Sequence, residues 1–193
     1  ATQARRFDQV ILADFSHAPA AELSATLKSV LPGDLDHVFY SDNGSTSVEV
    51  GLKMALQAKH NRGEHQRRHF VAFEGAYHGD TVGAMSVGER GVFNEPFWSL
   101  LFESTVLPYN DAQALRDHLA VHGDSVAGVI MEPLVQGAAG MVFSDVSYLR
   151  ECSQICREFD VYFILDEVMT GWGRTGTLFA CEQAGITPDI MAA

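Results

Sequence analysis

Short, nearly uninterrupted apolar runs recur along this chain: HFVAF at 69–73, AGVIM at 127–131 and VYFIL at 161–165. A strand with one solvated face alternates apolar and polar residues. A continuous run instead marks a strand buried on both faces, as in a parallel sheet with helices on either side. Amphipathic stretches long enough to serve as crossovers separate the runs. The fold class is therefore α/β, a mostly parallel sheet flanked by helices. With 193 residues, 47% of them apolar, the chain can bury a sizeable core as one large domain over 1–193.

The crossovers can be placed from their periodicity. A first helix is expected to open at Pro19, carry Leu23, Leu27, Val30 and Leu31 on one face, and stop at Pro32-Gly33. HVFYS at 37–41 reads as a short strand. A second helix runs from Gly44 to about His60, with Val48, Leu52, Ala55 and Leu56 at helical spacing. The basic stretch NRGEHQRR at 61–68 reads as a solvated turn, and another strand is expected near Phe102. Further helices cover 111–122 and begin at Asp145, the latter with Leu149, Cys152, Cys156 and Phe159 as its stripe.

Charge and cysteine usage exclude several roles. Thirteen Lys and Arg against twenty-five Asp and Glu give a formal charge of −12. No basic stripe is available to neutralise phosphates, so nucleic acid is not an expected partner. No run approaches the ~20 apolar residues of a membrane span, and ATQARRFDQV lacks a secretory apolar core. Cys152, Cys156 and Cys181 have no framework spacing and read as reduced core thiols of a cytoplasmic protein. Cys152 and Cys156 stand four apart, but no matching Cys/His pair completes a metal site, so none is expected.

The unusual residues fall where runs end, and in open α/β sheets ligands bind beyond the carboxyl ends of strands. SDNGST at 41–46 precedes a helix whose first N–H groups lack partners; with Gly44 permitting close approach and Ser45 adding a hydroxyl, it can cradle a phosphate or simply cap the helix. Tyr77, in the glycine-flanked AYHGD, can lie flat on a planar ligand or anchor a turn. Asp80 can cap a helix opening at Thr81. Asp166 follows VYFIL directly. A carboxylate there is costly without a cationic partner, which can be a pyridinium nitrogen, a magnesium ion or backbone donors. Neither GxxxxGK[ST] nor GxGxxG occurs, which removes the usual companions of a nucleotide site. Glu167 should point to the other face as a structural acid, and Glu132 adds an acid at the same sheet edge. Arg174, in GWGRTG, can bind an anion or brace carbonyls. The eight histidines have no nucleophile partners, and none is assigned to catalysis.

Together, SDNGSTSVEVGLKMA, AYHGDTVGAMS, IMEPLVQGAAGM and ILDEVMTGWGRTG resemble the large domain of class III, fold type I, pyridoxal-phosphate aminotransferases, in the family's own order and over nearly the whole chain. Within it, SHAPA and TGTLFACEQAGITPDI are most similar to the branch that acts in biotin biosynthesis with adenosylmethionine as amino donor. The resemblance implies pyridoxal 5'-phosphate as cofactor and small-molecule substrates. Gly44 and Ser45 would hold the cofactor phosphate, Tyr77 would stack on the ring and line the substrate site, Asp166 would pair with the ring nitrogen as a catalytic acid, and Val168 would pack on the opposite ring face. Met169 stands where many relatives carry Gln, a departure shared with the biotin-pathway group. The resemblance also implies a homodimer with shared sites, and a Schiff-base lysine about thirty residues past Asp166. Lys28, Lys53 and Lys59 all precede Asp166, and the chain ends at Ala193 just after Pro188, Asp189 and Ile190. The expectation is thus a fragment without that lysine or the small C-terminal domain, inactive alone.

Overall fold

The computed structural model describes residues 2–193. The chain forms two compact units, a short one ending at Phe39 and a larger one over Tyr40–Ala193. The short unit carries helix α1, Ala18–Val30. The His17 side chain caps it by accepting from Ala20 N, and Pro19 sits in the first turn, where its missing N–H costs nothing. No α1 residue is buried, so the apolar stripe anticipated there stays open, with Leu23 and Val30 exposed. The run at 37–41 forms no strand. Its composition favours extended backbone, but a strand also requires a neighbour to take its N–H and C=O groups, and no strand pairs with it.

In the larger unit, helix α2 (Gly44–Asn61) leads to strand β1 (His69–Phe73). A short helix α3 (Val82–Ser86) and strand β2 (Thr105–Leu107) follow. Helix α4 (Ala112–His122) then feeds β3 (Val126–Met131), and a small antiparallel hairpin pairs β4 (Val135–Gln136) with β5 (Val142–Phe143). Helix α5 (Val146–Glu158), strand β6 (Tyr162–Asp166), helix α6 (Cys181–Ala184) and strand β7 (Ile190–Ala192) complete the unit. The five main strands lie in the order β2-β1-β3-β6-β7, all parallel. All six residues of β3 are buried, as continuous apolar character requires of a central strand. The strand sought near Phe102 begins at Thr105, after a turn of 3-10 helix over Glu95–Leu100.

Val48, Leu52 and Ala55 of α2 pack with Phe70, Ile130 and Ile164 of the sheet. Burying each larger aliphatic side chain contributes about 1.5–3 kcal/mol. Helix α5 packs against β6 and buries Leu149, Cys152, Ile155 and Cys156. All three cysteines are buried and unpaired, and burial pushes the Cys152 thiol up to about 12. They serve as small apolar residues.

The basic turn at 61–68 is not merely solvated. Lys59 is fully buried at the end of α2, where its Nζ donates to the Asp160 carbonyl, pairs with Asp160 and Glu64, and lies 4.8 Å from the Tyr162 ring centroid. Arg67 Nη1 donates to Gly123 O at 2.8 Å. Lys59 thus ties α2 to the segment that enters β6, and Arg67 ties the turn after α2 to the segment that enters β3.

From β1 the chain moves outward to β2, then returns to place β3 on the other side of β1. Connections from this point run in opposite directions, which opens a crevice at the carboxyl ends of the strands.

Candidate active site

That crevice is a cleft of about 500 Å³ whose lining includes Asn43, Gly44, Tyr77, Glu132, Asp166 and Val168. Its floor is built by the first turn of α2. Asn43 and Thr46 form a reciprocal capping box: Asn43 Oδ1 accepts from Thr46 N at 3.0 Å, and Thr46 Oγ1 accepts from Asn43 N at 3.1 Å. Of the two readings of this segment, capping and anion binding, the structure shows the cap. Thr46 is spent on the cap, while Gly44 and Ser45 remain as first-turn N–H donors facing the cleft. Ser45 Oγ accepts from Asp80 N at 3.1 Å, which leaves its own hydrogen free to donate.

Two close approaches fix the geometry of this floor. A Cβ on Gly44 would lie 2.8 Å from Val168 Cγ1, so the loop after β6 rests directly on the α2 N-terminus. Gly79 has φ +117°, and a Cβ there would overlap the Ser45 hydroxyl. Gly79→Ala should therefore lower stability by about 1–3 kcal/mol through backbone strain. A urea midpoint unchanged from that of the parent would refute this.

The loop after β1 supplies the wall. Tyr77 is 49% exposed, with its N–H donating to Glu132 Oε1 at 3.0 Å and its hydroxyl donating to Asp80 Oδ2 at 3.1 Å. Asp80 is thus not the cap of α3; Thr81 occupies that position. Glu132 also accepts from Gly137 N at 3.0 Å, so one carboxylate joins the loops that follow β1 and β3. Burial raises its pKa above the ordinary carboxylate range, opposed by those two backbone donors.

Asp166 ends β6 and is 5% exposed. Its Oδ1 accepts from Val168 N at 3.1 Å, and its Oδ2 lies 2.7 Å from His78 Nδ1. A contact that short to a carboxylate places the hydrogen on Nδ1. His78 Nε2 is buried and has no partner among the described residues. No lysine or arginine reaches Asp166 among the described residues, so a ring cation in the cleft would find a desolvated acid already oriented by two donors. Sequence reasoning set every histidine aside. His78 had one signal, its place beside Tyr77 in a glycine-flanked loop, but its partner lies 88 residues away.

The next residue faces the other way. Glu167 is fully buried and accepts from Thr170 Oγ1, Ala180 N and Cys181 N at 2.7–2.9 Å, the structural role expected of it. Arg174 is exposed, and among the described residues its guanidinium makes no hydrogen bond, only its backbone N–H donating to Gly171 O, so the side chain does not brace the loop; Gln183 does, donating to Thr175 O at 2.7 Å.

Residues 1–193 match the aminotransferase class-III family. The chain belongs to the class III aminotransferases. It is 49% identical over 205 aligned positions to the adenosylmethionine-8-amino-7-oxononanoate aminotransferase of Synechococcus elongatus, covering 99% of this chain and 48% of that protein. Among solved structures it is similar to the enzyme of that name from Methanocaldococcus jannaschii, at 36% identity and TM-score 0.93, covering 98% of this chain and 45% of that one. A pyridoxamine-phosphate-bound aminotransferase from Vibrio fluvialis is similar at 28% identity and TM-score 0.89, covering 98% and 46%. The chain thus spans about half the length of the relatives it matches. Class III aminotransferases depend on pyridoxal phosphate, and the cleft of this class III chain fits that group: an open helix N-terminus for the phosphate, an exposed aromatic ring, and a buried carboxylate lacking a cation.

Proposed function

We propose that this chain is the large, cofactor-binding domain of a transaminase that transfers the amino group of adenosylmethionine to 8-amino-7-oxononanoate, giving 7,8-diaminononanoate in biotin biosynthesis. The observation that carries the reading is Asp166, an acid at the end of a buried strand, desolvated, oriented by His78 and Val168, and open to the cleft. When bound, pyridoxal phosphate supplies an aldehyde that takes up an amino group and a ring that withdraws electrons. The remaining roles fall to the chain's residues. Gly44 and Ser45 bind the phosphate with N–H groups and the Ser45 hydroxyl. Val168 and Tyr77, which both line the cleft, would hold the ring between them, and Tyr77 would also line the substrate site. Asp166 keeps the ring nitrogen protonated, and His78 Nδ1–H holds the carboxylate in place.

Amino transfer also requires a lysine amine to move a proton. Neither Lys53 nor Lys59 lines the cleft, and Lys59 is occupied by Asp160 and Glu64. The reading therefore requires the complete gene product to supply that amine. It also includes assembly as a homodimer in the cytoplasm. Val92 and Phe93, 78% and 95% exposed, form an apolar projection suited to cover by a second copy. No described helix is long and apolar enough to cross a membrane.

The test of the donor is a half-reaction with the complete gene product. Adenosylmethionine should discharge the cofactor's visible absorbance, whereas simple diamines should do so poorly; the reverse ranking would assign the protein to the ω-amine branch. Tyr77 gives a separate test. Tyr77→Phe keeps the stacking face and loses the link to Asp80, so cofactor affinity should hold within about twofold, while Tyr77→Ala should lose roughly tenfold through the missing ring. Equal collapse of affinity in both variants would show that stacking is the wrong account.

A further inference from the structure

Beyond Met169 the cleft has a neighbour. A second cavity of about 510 Å³ lies against the β4–β5 hairpin; its lining joins an apolar part, Leu134, Val135, Met141, Phe143 and Val146, to a polar part that includes Asp145, Arg174 and Gln183. The two cavities share one lining residue, Met169. Its thioether sulfur lies 2.3 Å from where a Cβ on Gly137 would be, so the side chain is seated tightly against the loop that follows β4. Nothing described above uses this second cavity. An unbranched thioether with three rotatable bonds makes a movable partition, unlike a β-branched residue or a ring.

We propose that Met169 is the partition that sets how long an apolar substrate chain the site admits, and that the cavity behind it takes the far methylenes of a straight-chain substrate when Met169 withdraws. The proposal rests on the transaminase reading for its substrate but on the shared wall for its geometry. With Met169 in place, a chain growing from the reacting carbon meets the sulfur. With the wall removed, each further methylene that packs on the apolar part of the lining gains about fourfold, the equivalent of the ~0.8 kcal/mol for burying one CH₂. Gly137 offers an independent route to the same effect. Its backbone lies outside the left-handed region, so alanine is tolerated there and only the flexible Met169 side chain need shift.

The experiment compares parent, Met169→Ala and Gly137→Ala in the complete gene product. Straight-chain aldehydes from propanal to octanal serve as amino acceptors, and the matching alcohols are titrated by calorimetry as unreactive probes. Both variants should show a steeper rise of kcat/KM with chain length than the parent, near fourfold per methylene for Met169→Ala, and the alcohols should bind with the same ranking. Parallel length profiles for parent and Met169→Ala, in turnover and in alcohol binding, would overturn the proposal. If the parent aminates neither these aldehydes nor 8-amino-7-oxononanoate, the transaminase reading fails, yet the alcohol titrations still decide the partition.

Discussion

Asp166→Asn should retain the fold and lose roughly a hundredfold to a thousandfold in turnover, the scale of removing one preorganised electrostatic partner from a reaction centre. The amide oxygen can still accept from Val168 N, and the amide NH2 can donate to Nδ1 of His78 once that ring takes its other tautomer, so the local hydrogen bonds survive. What disappears is the negative charge, and a neutral amide cannot keep a pyridine nitrogen protonated. The Asn variant of the complete gene product should therefore bind cofactor and unfold at nearly the parent's denaturant midpoint while its amine-transfer rate falls. Amine transfer near the parent rate would remove Asp166 from the mechanism.

The second large effect concerns stability. Glu167→Ala should cost about 3 kcal/mol or more, because it strips the acceptor from the Ala180 and Cys181 N–H groups and the Thr170 hydroxyl at once. Each unsatisfied buried donor costs about 1–3 kcal/mol, and all three contacts are buried. These bonds hold the start of α6 against the end of β6. The readout is the urea midpoint at constant slope. A shift worth less than about 1 kcal/mol would mean that the loop after β6 relaxes to satisfy its own donors.

How much of this was legible beforehand differs by element. The strands β1, β3 and β6 lie within a residue of their apolar runs, because burial on both faces leaves an unbroken signature. The α2 helix was legible for a second reason: its apolar spacing and its Asn43 cap agree. Strands of two or three residues, β4, β5 and β7, carry too little pattern to separate from loop. HVFYS misled because pairing is a property of neighbours, not of the run itself. Asp80 was misplaced for a related reason. Its carboxylate is taken by Tyr77 and its N–H by Ser45, a contact 35 residues distant. The pairing of His78 with Asp166, and the bridging of two loops by Glu132, likewise depend on which strand ends become neighbours.

The opposed placement of Asp166 and Glu167 has a consequence for how the sheet assembles. Parallel strands close long loops before they gain contacts, and such pairing is slow and open to error. A one-residue slip of β6 against β3 would turn every β6 side chain to the other face. It would carry Asp166 toward the layer where Ala180 and Cys181 wait for a longer acid, and leave His78 facing a residue of the wrong reach. The misaligned strand would then strand two carboxylates and several buried donors together, whereas a slip in a purely apolar strand would be nearly silent. The opposed partners of Asp166 and Glu167 thus make the native register of β6 the one in which both carboxylates are satisfied.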